Sequence, residues 1–314
     1  MQPIHWNRRR LRDPLTGTGG RPMLRFMRSE RCTLQTPDDG TIELHWLEHS
    51  DHAAGQVIVC VHGLTRNAHD FDRIATELAL RGARVLAVDV PGRGGSSWLS
   101  NPAHYVVPVY ADCLRTWLGM LGLSSVDWLG TSMGGLIGME IAGSVDGPIR
   151  RLVLNDIGAF VPKEALAPIG AYLGLDLRFP DLEAVERHLR TIHAGFGRHL
   201  DDGWWRDLAR WSARKVGHDW RMHYDPAIKL PFTQTEAADI DLWPRYDAIA
   251  CPTLLLRGAE SALLPTSVAQ EMTHRGPRAE LVTLLDCGHA PSLGERDQIE
   301  VVADWLCGPA PNAV

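Results

Sequence analysis

The sequence predicts an α/β fold: a mostly parallel sheet wrapped by helices on both faces and interrupted by a helical insertion. Three observations carry this. Short continuous apolar runs alternate with segments of helical period. That alternation stops at about residue 161 and resumes after 245. One apolar strand also turns through Gly130-Thr131-Ser132-Met133-Gly134 directly into a helix rich in small and apolar residues.

Residues 1–30, rich in Arg, Pro and Gly, predict a poorly ordered basic extension. Residues 32–36 and 41–48 alternate apolar and polar around Pro37-Asp38-Asp39-Gly40, a hairpin signal. Val57–Val61 is a continuous apolar run ending at His62-Gly63, consistent with a buried central strand. Residues 70–81 have helical spacing and stop at Gly82. Arg84–Val88 is the next buried strand, followed by a glycine-rich loop, residues 89–97. The loop lacks the Gly-Lys-Ser/Thr end of a phosphate cradle and opens no helix at once, so it reads as a tight strand exit. A helix follows over 105–121, then the strand from 126, the Ser132 turn and a helix over 133–144. Residues 151–155 form another strand, ending at Asp156-Ile157-Gly158.

From 161 to 245 no buried strand is expected. Helical segments at 165–173, 182–196 and 203–216 surround Trp204, Trp205, Trp211, Trp220 and Trp243. The alternation returns with a strand at 253–257, a helix at 267–274, a strand at 280–285 and a last helix through 299–306. The organisation expected is therefore an extension (1–30), a core from 31–160 and 246–314, and a helical cap from 161–245.

Composition narrows the function. Hydrophobic residues at 45% and charged residues at 22% are ordinary for a soluble globular protein. A formal net charge of −6 argues against a nucleic-acid binder, whose footprint would be basic. The six cysteines are scattered, so neither a disulfide framework nor a zinc site is expected. No apolar run reaches membrane-spanning length. The run Arg8-Arg9-Arg10-Leu11-Arg12 lacks a following hydrophobic stretch, so it reads as a solvated tail rather than an export signal, and a cytoplasmic location is expected. Nothing sets the oligomeric state, and a homo-oligomer is allowed.

The chemistry centres on Ser132. A strand that turns straight into a helix holds the turn residue in a strained conformation with its side chain above the sheet. Gly130 and Gly134 flank it because a Cβ at either place would crowd the bend. Met133 opens the helix, so its free N–H and the positive helix end face any oxyanion beside Ser132. A serine hydroxyl needs an imidazole to accept its proton as it attacks. No Gly-x-Gly-x-x-Gly follows the first strand, so a dinucleotide site is not expected.

His62-Gly63-Leu64, the Gly-x-Ser-x-Gly turn and Cys287-Gly288-His289-Ala290-Pro291 stand in an order that resembles the α/β-hydrolase superfamily, in its branch of lidded serine esterases. Asp89-x-Pro-Gly-x-Gly-x-Ser and Asn155-Asp156-Ile157-Gly158 are similar to that family as well, and the resemblance spans residues 31–307. It implies an eight-stranded sheet, Ser132 as nucleophile and His289 as general base. Leu64 and Met133 N–H groups would form the oxyanion hole, with His62 packing rather than acting as a base. No cofactor or metal is implied. A serine at the turn argues against the dehalogenase and epoxide-hydrolase members, which use an aspartate there.

The acid departs from the pattern. The family places it in the loop after the strand at 253–257, where aspartate is expected at the position of Ala262. Three readings stand: a substitution that disables the site, a nearby acid (Asp156 or Glu260) taking over, or a protein that has lost catalysis and binds a ligand. The first is carried forward. The expected function is hydrolysis of small to medium carboxylic esters through an acyl-enzyme, disabled at Ala262. The alternatives are a lactonase or carbon–carbon bond hydrolase on the same site, or a non-catalytic small-molecule binder. Of the cap tryptophans, Trp204 and Trp205 are the candidates to line the substrate pocket, and the rest are expected to pack the cap onto the core.

Overall fold

The computed structural model describes residues 27–36, 39–50, 55–233 and 238–309. The expected extension therefore lies outside the described residues up to 26. Its last four residues belong instead to the first strand, because Arg28 pairs with Glu48 and the Ser29 hydroxyl meets His45 across the hairpin.

The elements of the first half are β1 (Met27–Thr36), β2 (Gly40–His49), β3 (Val57–Val61), α1 (Asp72–Leu80), β4 (Arg84–Val88), α2 (Val107–Met120), β5 (Val126–Thr131), α3 (Met133–Ala142) and β6 (Ile149–Asn155). Between β6 and the later core lie β7 (Phe160–Val161), α4 (Lys163–Tyr172), α5 (Leu182–Ile192), α6 (Asp202–Ser212), β8 (Ala213–Val216), β9 (Asp219–Met222), α7 (Leu230–Thr233), β10 (Ile240–Asp241) and α8 (Trp243–Asp247). The chain closes with β11 (Thr253–Gly258), α9 (Thr266–Met272), β12 (Glu280–Leu284) and α10 (Arg296–Cys307).

Eight strands form one sheet in the order β1-β2-β4-β3-β5-β6-β11-β12. β2 pairs antiparallel with β1 and β4, and every other pair is parallel. Alternate residues of a central strand feed opposite faces. Ile58 and Cys60 pack with Ile74 and Leu78 of α1 and Val302 of α10, whereas Val59 and Val61 pack with Leu114 and Trp117 of α2 and Ile137 of α3. That two-sided burial explains why these strands read as unbroken apolar runs. Parallel strands also deliver all their exit loops to one end, so residues after β3, β5, β6, β11 and β12 can meet.

The segment between β6 and β11 is not wholly helical. The helix expected through residue 216 ends at Ser212, and β8 and β9 form a hairpin closed by Gly217 at φ +63°. A left-handed residue cannot continue a helix, and glycine holds it without strain. This segment is fixed to the core through its α6 end. Asn67 donates to Trp211 O at 2.8 Å, and His69 stacks on the Trp211 ring at 3.7 Å. Among the described residues no helix is long and apolar enough to cross a membrane.

Candidate active site

Ser132 occupies a strained turn, φ 52° and ψ −116°, between β5 and α3. A Cβ on Gly130 would overlap the Gly134 carbonyl, and one on Gly134 would overlap the Val61 carbonyl. The indole N–H of Trp128 caps the arrangement by donating to Gly134 O at 3.0 Å. Strain of this kind persists only where packing over-determines it, and here it lifts the hydroxyl clear of the sheet.

His289 Nε2 lies 2.9 Å from Ser132 Oγ, and its Nδ1 lies 2.7 Å from Asp156 Oδ2. Asp156 follows β6, which pairs with β5 on one side and β11 on the other. Its carboxylate is fully buried and accepts two more bonds: the Gly258 N–H to Oδ1 at 2.8 Å and the Ser261 hydroxyl to Oδ2 at 2.6 Å. The loop that would carry an acid at 262 thus supplies donors to the acid at 156. Asn155 ties the pieces together, donating to Thr131 Oγ1 at 3.0 Å and to Pro291 O at 2.8 Å.

Ala262 itself borders the cavity and is exposed. Glu260 forms a surface ion pair with Arg198 instead of bonding the histidine. Of the two substitute acids left open by the sequence, Asp156 faces His289. A site disabled for want of a carboxylate does not fit this arrangement.

The two expected oxyanion donors flank Ser132. Neither the Leu64 nor the Met133 N–H donates to a backbone carbonyl among the described residues outside regular ladders. Gly63 abuts the turn, since a Cβ on it would stand 3.7 Å from Ser132 Cβ. Fully buried Arg93, unnoticed in the sequence, braces both donor residues. Its Nε donates to Leu64 O at 2.9 Å and its Nη2 lies 3.6 Å from Met133 Sδ.

His62 is fully buried beneath this turn. Val90 N–H donates to its Nε2 at 3.0 Å, so Nδ1 carries the proton and donates to Gly63 O at 2.8 Å. A second proton would oppose the Val90 N–H. Burial is the main cause that pushes its pKa down, from 6.5 to about 4. Above the unfolded value both states are neutral. As pH falls from about 6.5 to 4 the unfolded chain takes a proton that the folded chain refuses, at a cost approaching about 3 kcal/mol. His62→Gln is therefore expected to flatten the fall of melting temperature over that window. Parallel wild-type and variant curves would contradict the assignment.

Two cavities meet at Ser132 and Leu64. One, about 240 Å³, is lined mainly by apolar residues including Val106, Leu136, Ile157, Leu166 and Leu173. The other, about 200 Å³, holds His289 and polar groups from Thr65, Arg66, Tyr172 and His193. Trp204 lines this second cavity, edge-on to Phe196 at 6.2 Å. Trp205 packs behind it under Arg190 and lines neither cavity. Among the described residues no group of three or more His, Cys, Asp or Glu is arranged to hold a metal ion.

A turn-borne serine, a histidine and a buried carboxylate at the exit end of this sheet are the equipment of a hydrolase. The family model described as the alpha/beta hydrolase fold matches residues 56–295, and the chain belongs to that family. It is similar to a 3-hydroxybutyrate-oligomer hydrolase of Cupriavidus necator, 41% identical over 86% of this chain and 94% of that protein. An esterase of Mycobacterium tuberculosis is 26% identical over 79% of this chain and 82% of its own length. Among solved structures, an alpha/beta hydrolase from Novosphingobium aromaticivorans superposes with a TM-score of 0.78 at 33% identity, covering 88% of this chain and 98% of the other.

Proposed function

We propose that this chain hydrolyses carboxylic esters of small to medium size through an acyl-enzyme on Ser132, with short linear oligoesters of hydroxyacids as the substrate class. The observation that carries this reading is the hydrogen-bonded series Ser132–His289–Asp156, set where the two cavities join. The carboxylate already bonded to His289 supports a working site rather than one disabled at Ala262. The 41% identical relative, named for oligomers of 3-hydroxybutyrate, supports the substrate class.

Ser132 Oγ attacks the ester carbonyl while His289 Nε2 accepts its proton, and Asp156 holds the imidazole tautomer and stabilises the imidazolium. The carbonyl oxygen becomes an oxyanion facing the Leu64 and Met133 N–H groups. Collapse of the tetrahedral species breaks the C–O bond, and His289 passes its proton to the departing alkoxide. Water, deprotonated by the same histidine, then attacks the acyl-serine and releases the acid. His289 borders only the polar cavity, so the alcohol half belongs there and the acyl half in the apolar one.

Incubation with the linear trimer of 3-hydroxybutyrate and with the methyl ester of its dimer is expected to release the monomeric hydroxyacid, and nitrophenyl butyrate to release nitrophenol. Ser132→Ala should abolish both. Wild-type protein that leaves every one of these esters intact would overturn the proposal.

A further inference from the structure

His193 plays no part in the steps above, yet it is built into the polar cavity beside Ser132 and His289. Its residue surface is only 6% exposed, and its ring makes no hydrogen bond among the described residues. Its nitrogens are not among the enclosed polar atoms that lack a partner, so they open onto the cavity, and an imidazole with no protein partner there is placed to bond a ligand. The ring is also held still. It stacks on Phe196 at 4.2 Å with 16° between planes, and Tyr172 meets it edge-on at 6.4 Å. The turn that carries it is bonded to the loop of the general base: Gly288 N–H donates to Gly195 O at 2.7 Å and Ser292 N–H to Phe196 O at 3.0 Å. The imidazole is thereby placed in a fixed relation to the reacting serine.

The charges around it define what it can read. Arg66 is the neighbouring cation, but its Nε and Nη2 engage Asp70 at 3.0 and 2.6 Å, and its Nη1 donates to Ser212 at 2.7 Å. Its charge is matched within that pair. Burial first, then Arg66, His188 and His289, hold the His193 pKa well below its ordinary value, so the ring is neutral. A neutral imidazole offers one N–H and one lone pair. It can donate to a carbonyl or accept from a hydroxyl, whereas a carboxylate would find no uncompensated positive charge here.

We infer that His193 is a specificity-determining residue that hydrogen-bonds an uncharged oxygen, carbonyl or hydroxyl, carried by the alcohol half of the ester. The inference rests on the ester-hydrolase reading and assigns that half its polar anchor. It selects alcohols bearing a further ester or hydroxyl group over plain aliphatic ones.

The test compares two butanoate esters of equal length: that of methyl 3-hydroxybutanoate, whose alcohol carries a carbonyl, and that of hexan-2-ol, whose alcohol does not. Wild-type protein is expected to favour the first about tenfold in kcat/KM, the range of one neutral hydrogen bond. In His193→Phe, which keeps the ring and its stacking, that ratio should fall to about one, mainly through KM. His193→Gln, which retains a donor and an acceptor, should keep an intermediate ratio, and melting curves of both variants report that they fold. A wild-type ratio near one overturns the inference while ester hydrolysis stands. So does a His193→Phe protein that loses both substrates in equal proportion. Wild-type protein that cleaves neither ester overturns the hydrolase reading and the inference with it.

Discussion

Asp156→Asn is expected to lower kcat roughly ten-thousand-fold, the weight of the acid in a serine–histidine–acid site. KM should change little, because Asp156 is buried behind His289 and touches no cavity surface. An asparagine keeps the shape and, with its oxygen in the Oδ1 place, can still accept from the Gly258 N–H, while its NH2 in the Oδ2 place makes the Ser261 hydroxyl an acceptor instead of a donor. Opposite His289 Nδ1, however, it can present an amide N–H, which selects the tautomer that cannot take a proton from Ser132. The companion variant Ala262→Asp is expected to give no gain, since the imidazole already has its carboxylate and a second one nearby would add a like charge. Steady-state hydrolysis of nitrophenyl butyrate by the two variants checks both statements. A harmless Asp156→Asn together with a thousand-fold rise in Ala262→Asp would move the acid to position 262.

Gly134→Ala carries the next largest effect. A methyl group there would overlap the Val61 carbonyl and press on His62 O, 3.1 Å away, and backbone atoms of a central strand cannot yield as a side-chain tip does. The first turn of α3 must shift away from the end of β3. Those two segments carry the Met133 and Leu64 N–H groups, so the oxyanion hole widens as the fold loosens. The expected loss is about 3 kcal/mol or more of stability, and a hundred- to thousand-fold in kcat for protein that remains folded. Denaturant melts and kcat measured well below the melting temperature separate the two. An alanine variant with wild-type kcat would show that the donors are held independently of this contact.

Much of the site is legible in the sequence because its signals are local. The Ser132 turn announces itself through Gly130 and Gly134, each needed for a close backbone approach, and His289 through its place beyond the last strand. The acid is different. β6 and β11 are neighbours in the sheet, so their exit loops converge and either can present a carboxylate to His289. Pattern transfer points to 262, and only the three-dimensional pairing selects Asp156. Arg93 and His193 were missed for the same reason: their roles come from burial and from partners 29 and 95 residues away in sequence, Leu64 for Arg93 and Gly288 for the turn holding His193. The hairpin after α6 escaped because Ala213–Val216 extends the helical spacing, and the break lies in the extended backbone of Ala213 (φ −126°, ψ 152°), ahead of the turn at Gly217.

The most direct measurement is the site and rate of labelling by a fluorophosphonate, which forms a covalent adduct only with an activated serine. A nucleophile activated by His289 and Asp156 predicts a single adduct on the peptide containing Ser132. Labelling should be absent in Ser132→Ala and slowed by several orders of magnitude in Asp156→Asn. Wild-type protein that stays unlabelled, or that labels equally fast without Asp156, would contradict it.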